Sequence, residues 1–134
     1  VVGVITEHLV AKEVAHPELT ELRVVASMHE RKTVMSELAD GVVALPGALG
    51  TLEELFEMLT WAQLGLHRKP CGLLNVAGDF DRLLGFLDHA VDQRFVRPEH
   101  RAMVLSEPES AVLLDRLSKY VPPVSEKWLE RATS

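Results

Sequence analysis

The feature that most restricts this chain is an alternation in which short runs rich in β-branched residues are separated by longer stretches with helical periodicity. Strands joined by helix-length crossovers pair in parallel, and a parallel sheet needs helices to cover it. Val1–Ile5 reads as a buried strand, Leu22–Val25 as a weaker one, and Val42–Leu45, Cys71–Asn75 and Met103–Leu105 as three more. Helices are expected over Met28–Asp40, Thr51–Leu64, Phe80–Asp92 and Glu109–Tyr120, with Gly65 and Pro70 ending the second of them. On the third, Leu83, Phe86, Leu87 and Ala90 recur on one face, as a core-facing helix requires. The expected fold class is α/β, a Rossmann-like parallel sheet with helices on both faces. Residues 1–122 are expected to form one domain and residues 123–134 a C-terminal tail, helical or frayed.

Composition narrows the function. The 134 residues are 47% hydrophobic, enough for a core, and the formal net charge of −6 argues against nucleic-acid binding, which needs a basic surface to neutralise phosphates. No apolar run approaches the roughly 20 residues that span a bilayer, so no membrane partner is expected. Val1–Thr6 is apolar but short and has no basic residue before it, unlike a signal peptide. A single cysteine, Cys71, excludes an intramolecular disulfide and suits a reducing compartment, so the expected location is cytoplasmic. The six histidines show no zinc-like spacing with Cys or with each other, and no metal is expected.

Pro46–Gly50 joins a strand to a helix, and Gly47 and Gly50 let backbone N–H groups approach an anion there. The helix N-terminus adds donors and partial positive charge, at the strand end where open α/β sheets gather ligands. Thr51 adds a hydroxyl, as N-cap or as phosphate ligand. The same pattern also describes an ordinary glycine-containing turn with a threonine cap. In the helix that follows, Leu52, Leu55, Phe56, Leu59 and Ala62 make a core-facing stripe. Glu54 falls nearly opposite, on the side shared by Met58 and Trp61, where a carboxylate can face a bound sugar. The competing reading is that Glu53, Glu54 and Glu57 complement the helix dipole, and it singles out none of them.

On the preceding helix, at about 100° per residue, Arg31 falls within the apolar face formed by Met28, Val34, Met35, Leu38 and Ala39. Lys32 falls at its edge. A guanidinium there needs an anion, either a protein carboxylate or a ligand phosphate.

Ser27-Met28-His29-Glu30-Arg31-Lys32 resembles the M-H-x-R-K motif of the Lonely Guy family, and Pro46-Gly47-Ala48-Leu49-Gly50-Thr51-Leu52-Glu53-Glu54 resembles its P-G-G-x-G-T-x-x-E motif. Leu59–Gly65 and Lys69–Asn75 resemble family sequence at the expected spacing, and the similarity runs from Val1 to about Pro122. The resemblance implies hydrolysis of the N-glycosidic bond of cytokinin riboside 5′-monophosphates, or of AMP, to free base and ribose 5-phosphate. It implies Arg31 and Glu54 as the catalytic pair. Substrate contacts would come from Glu13, Lys32, Gly47, Ala48, Leu49, Gly50, Thr51, Glu53 and Thr60. It further implies no organic cofactor, and a homodimer or an assembly of dimers. Such proteins have also been called lysine decarboxylases, but no lysine here sits in a recognisable pyridoxal-phosphate setting.

The sequence departs from the family pattern twice. Ala48 stands where the pattern has its second glycine; a Cβ there obstructs phosphate approach or disfavours a glycine-only φ, and binding is expected to weaken if the position needs φ > 0. The family's opening strand and its G-G-G-x-x-G-L-M-G segment have no counterpart here, so the expected sheet lacks that N-terminal strand. A non-catalytic nucleotide-binding relative, or a fragment that folds by dimerising, are the alternatives this leaves.

Overall fold

The computed structural model describes residues 1–12 and 16–123, in two compact units comprising residues 1–40 and residues from 41 onward. The expected tail at 124–134 lies outside the described residues.

The first unit runs β1 (Val2–Thr6), α1 (Glu7–Ala11), β2 (Glu21–Val25) and α2 (Met28–Leu38). β1 and β2 pair in parallel, from Val2 opposite Glu21 to Thr6 opposite Val25. The first strand is not the buried one expected: Val1 is 84% and Val2 44% exposed, and only Ile5 and Thr6 are buried. A parallel strand is buried along its length only where it is flanked and covered throughout. Here burial is confined to the end that turns into α1, where the Thr6 hydroxyl accepts from the Leu9 N–H at 3.4 Å. A five-residue helix is too short to leave a periodic trace, and α1 was not anticipated.

The second unit runs β3 (Val42–Ala44), α3 (Leu49–Gln63), β4 (Cys71–Leu74), α4 (Asp81–Asp92), α5 (Pro98–Arg101), β5 (Val104–Glu107) and α6 (Ser110–Ser118). Its strands form a parallel sheet in the order β3-β4-β5, with Val42 opposite Cys71 and Cys71 opposite Val104. Successive side chains of a strand point to opposite faces, and β4 uses both. Cys71 and Leu73 enter a cluster with Leu55 and Met58 of α3 and Leu87 of α4. On the other face Leu105 of β5 packs with Leu113 and Leu117 of α6. Gly72 lies under α6: a Cβ built on it would stand 2.8 Å from Leu113 Cδ1. The class is thus α/β with parallel strands, and the described strands pair as a two-stranded and a three-stranded sheet.

Glycine ends α3 as expected. Gly65 has φ +75, its N–H reaches the Ala62 carbonyl, and the Leu66 N–H reaches that of Trp61 at 2.9 Å. This paired closure satisfies carbonyls that the last turn leaves open. The face of α4 is a correction. Leu87 and Ala90 are buried and Leu83 packs partly, but Phe86 is 63% exposed, and Leu84 packs against the core instead. Leu84 and Phe86 flank the same stripe on opposite sides, and periodicity cannot say which flank the sheet covers.

Candidate active site

Within the second unit the strand-to-helix junction is built by β3, its loop and α3. The helix starts at Leu49, two residues earlier than expected, with Ala48 as its N-cap. Thr51 is therefore not the cap, and the N-cap residue Ala48 makes no side-chain hydrogen bond to the first turn. Leu52 N–H closes the first helical bond to the Ala48 carbonyl at 3.3 Å. The Thr51 hydroxyl instead folds back under Gly47, where any Cβ would collide with it. Gly47 is thus required by the close approach of a hydroxyl, and Pro46–Gly50 are all exposed.

Ala48 has φ −96 and ψ −159, ordinary extended backbone. The expectation of a glycine-only φ at this position is overturned, because an L-residue meets no conformational penalty there.

The earlier helix start also changes the reading of the acidic residues. With Leu49 as the first helical residue, the first turn holds no acid, and Glu53 and Glu54 fall in the second. Dipole complementation fades beyond the first turn, so it explains them poorly. Burial separates the two: Glu53 is exposed and Glu54 half-buried. The side of α3 that carries Glu54 differs from expectation. Met58 is buried at 7% exposure and Trp61 packs against the same core cluster, so the apolar arc is wider than the predicted stripe. Glu54 sits on the rim of that arc, not opposite it. Thr60 lies more than two turns beyond Thr51, is exposed, and donates its hydroxyl to the Phe56 carbonyl at 2.6 Å within the helix.

In the first unit, α2 carries Arg31 and Lys32, both half-buried. A reciprocal cap sets its start. Ser27 Oγ accepts from the Glu30 N–H at 3.1 Å, while Glu30 Oε2 accepts from the Ala26 N–H at 2.9 Å. Sequence reasoning missed this role for Ser27 and Glu30, although the S-x-x-E spacing is a capping signal. The cap places Arg31 one turn into α2, where its Nε donates to the Val4 carbonyl of β1 at 2.8 Å. This bond to a strand carbonyl is one the sequence did not suggest. It fixes the inner edge of the guanidinium to a strand. The expected face of α2 is only loosely covered, with Met28, Met35 and Leu38 at 39–45% exposure. Glu13 lies outside the described residues. Among the described residues no helix is long and apolar enough to cross a membrane.

The predicted residues therefore fall into two groups. Gly47, Ala48, Leu49, Gly50, Thr51, Glu53 and Glu54 come together at the carboxyl end of β3, while Arg31 and Lys32 share the first turns of α2.

Comparison with known proteins matches residues 1–117 to the family described as "Possible lysine decarboxylase". A cytokinin riboside 5′-monophosphate phosphoribohydrolase of Arabidopsis thaliana is 48% identical over 126 residues, covering 94% of this chain and 58% of that protein. A probable enzyme of the same description from Oryza sativa subsp. japonica is 51% identical over 122 residues, or 91% of this chain and 54% of its own length. Another from the same rice, named without that qualifier, is 48% identical over 122 residues, 91% of this chain and 50% of its own. The chain spans between half and three-fifths of the length of these relatives.

Proposed function

We propose a function from the premise that this chain belongs to the family described as "Possible lysine decarboxylase", the Lonely Guy family, whose similar members are named phosphoribohydrolases. The protein hydrolyses the N-glycosidic bond of a nucleoside 5′-monophosphate, AMP or a cytokinin riboside 5′-monophosphate, releasing base and ribose 5-phosphate. The observation that carries this reading is the junction after β3: an exposed glycine loop, a helix start whose N-cap residue is an alanine, and a half-buried carboxylate in the second turn.

The loop from Gly47 to Thr51 takes the 5′-phosphate on backbone N–H groups and the helix dipole. Remote binding of that phosphate positions the sugar, which is where binding energy is best used. N-glycoside cleavage passes through a state with oxocarbenium character, and Glu54 stabilises the developing positive charge or activates the attacking water. The partial burial of Glu54 strengthens such a charge interaction relative to bulk water. Arg31 holds an anion, and Lys32, Glu53, Thr60 and Glu13 add substrate contacts. The protein works as a homodimer or an assembly of dimers. The alternative of a non-catalytic nucleotide binder drew on Ala48 and on the absent glycine-rich segment; of these grounds, a glycine-only φ at Ala48 is not met, since that residue is extended.

The test is release of adenine from AMP and of N6-isopentenyladenine from its nucleotide, for the wild-type protein and for Glu54→Gln. We expect release by the wild type and a loss of about 10²-fold or more in kcat for the variant, as for removal of an acid–base group. Release that is equal in both would remove Glu54 from the mechanism, and no release by the wild type would leave only nucleotide binding.

A further inference from the structure

The turn after β4 has features that the reading above does not use. β3 and β4 are parallel neighbours with Ala44 opposite Leu73, so the β3–α3 loop and the β4–α4 turn leave the sheet at the same end. Asn75 begins that turn, and its N–H extends the ladder to the Glu107 carbonyl at 2.9 Å. Both ends of its side chain are then engaged. Oδ1 accepts from the Phe80 N–H at 2.8 Å, and Nδ2 donates to Asp81 Oδ1 at 2.7 Å. Phe80 itself is buried at 3% exposure. The clamp holds two successive left-handed residues, Ala77 at φ +52 and Gly78 at φ +72. A Cβ on Gly78 would stand 2.6 Å from Asp81 Oδ2, so the turn is closed to a larger residue there. Non-glycine residues in this region cost free energy, persist only where their surroundings dictate it, and concentrate at ligand sites. The tip so stiffened is apolar and open, with Val76 48% exposed and Ala77 exposed.

We propose that the β4–α4 turn is the base-side wall of the nucleotide site, with Val76 as the apolar contact to the nucleobase and Asn75 as the positioning residue that holds it. The proposal rests on the phosphate reading of the β3–α3 loop. Adjacent strands lie about 4.8 Å apart, so a ligand whose phosphate sits at the end of β3 reaches the end of β4 with its uncharged part. A nucleobase has apolar faces that gain from contact with a rigid aliphatic group, whereas ribose 5-phosphate has none to offer. The turn therefore separates nucleotide from sugar phosphate.

The test uses the protein at its full natural length, in a Glu54→Gln background so that AMP is not cleaved, and titrates AMP and ribose 5-phosphate calorimetrically into the otherwise wild-type protein, Val76→Ser and Asn75→Ala. Val76 is exposed, so Val76→Ser leaves folding unaffected and keeps the experiment decisive if Asn75→Ala fails to fold. Expected is about tenfold weaker AMP binding for Val76→Ser, the scale of losing a partly buried aliphatic contact, with ribose 5-phosphate affinity held within about twofold. Asn75→Ala should reproduce that split, which a merely structural role would not, since general loosening weakens both ligands together. AMP affinity unchanged in Val76→Ser, or both ligands weakened equally, overturns the proposal. An otherwise wild-type protein that binds ribose 5-phosphate and AMP with equal strength also overturns it, while one that binds neither refutes the phosphate reading beneath it.

Discussion

The two units handle apolar surface differently. In residues 1–40, burial among the described residues is confined to Ile5, Thr6 and Val25, and α2 buries no side chain fully. In the second unit, Leu55, Leu73 and Leu113 are at 2%, 0% and 1% exposure, and the three-stranded sheet is covered on both faces. The physical cause is the number of layers. Two strands and an 11-residue helix give one thin interface, while three strands between helices give two. The comparison teaches that the candidate residues rest on unequal foundations: the glycine loop and Glu54 on a packed element, Arg31 and Lys32 on a lightly packed one.

The sharpest way to break this comparison is to truncate one strand residue in each unit. Leu73→Ala should destabilise by about 2–5 kcal/mol, and Val24→Ala, at a position 50% exposed, by no more than about 0.5 kcal/mol. Urea denaturation at unchanged m-value measures both. Equal losses would mean that the first unit is as tightly packed as the second.

A smaller effect comes from adding one methyl group at a glycine of each sheet. Gly72→Ala drives a Cβ against Leu113, which is locked at 1% exposure, and should cost about 1–3 kcal/mol. Gly3→Ala meets the tip of Leu19, a half-buried side chain that can turn aside, and should cost less. The same denaturation series checks the order, and a larger loss at Gly3 would reverse the comparison.

The mildest probe is pH. Burial pushes the Cys71 thiol up from 9.0 to about 11. Its unfolded form then loses a proton at lower pH than its folded form. The stabilisation is fully present below pH 9 and is lost as pH rises toward about 11. Tyr120 is raised as well, by burial first and by the Cys71 charge second, and acts in the same direction. Cys71→Ala should flatten the fall in stability over that range, as followed by thermal melts. An unchanged slope would show that the thiol does not titrate with unfolding.

Much of this was legible in the residues themselves. Alternating runs announced parallel strands and crossover helices, because period 2 and period 3.6 leave different traces. Gly65 announced the end of α3. The loop at Pro46–Gly50 stood out because glycines between a strand and a helix admit close approach. Other features were not legible. Met58 inside and Phe86 outside both lie at the margins of their helix stripes, where the neighbouring element decides what is covered.

The sequence alone determined the class of fold and the order of its main elements, and it supplied the short list of candidate site residues, since these depend on local periodicity and side-chain chemistry. Tertiary structure decided that α3 begins at Leu49, which moves Glu53 and Glu54 out of the first turn. It also decided that Ala48 is extended and that Arg31 anchors to the Val4 carbonyl. The reason is that a helix start, a backbone angle and a hydrogen-bond partner are settled by competition among groups distant in sequence, and no local pattern records its outcome.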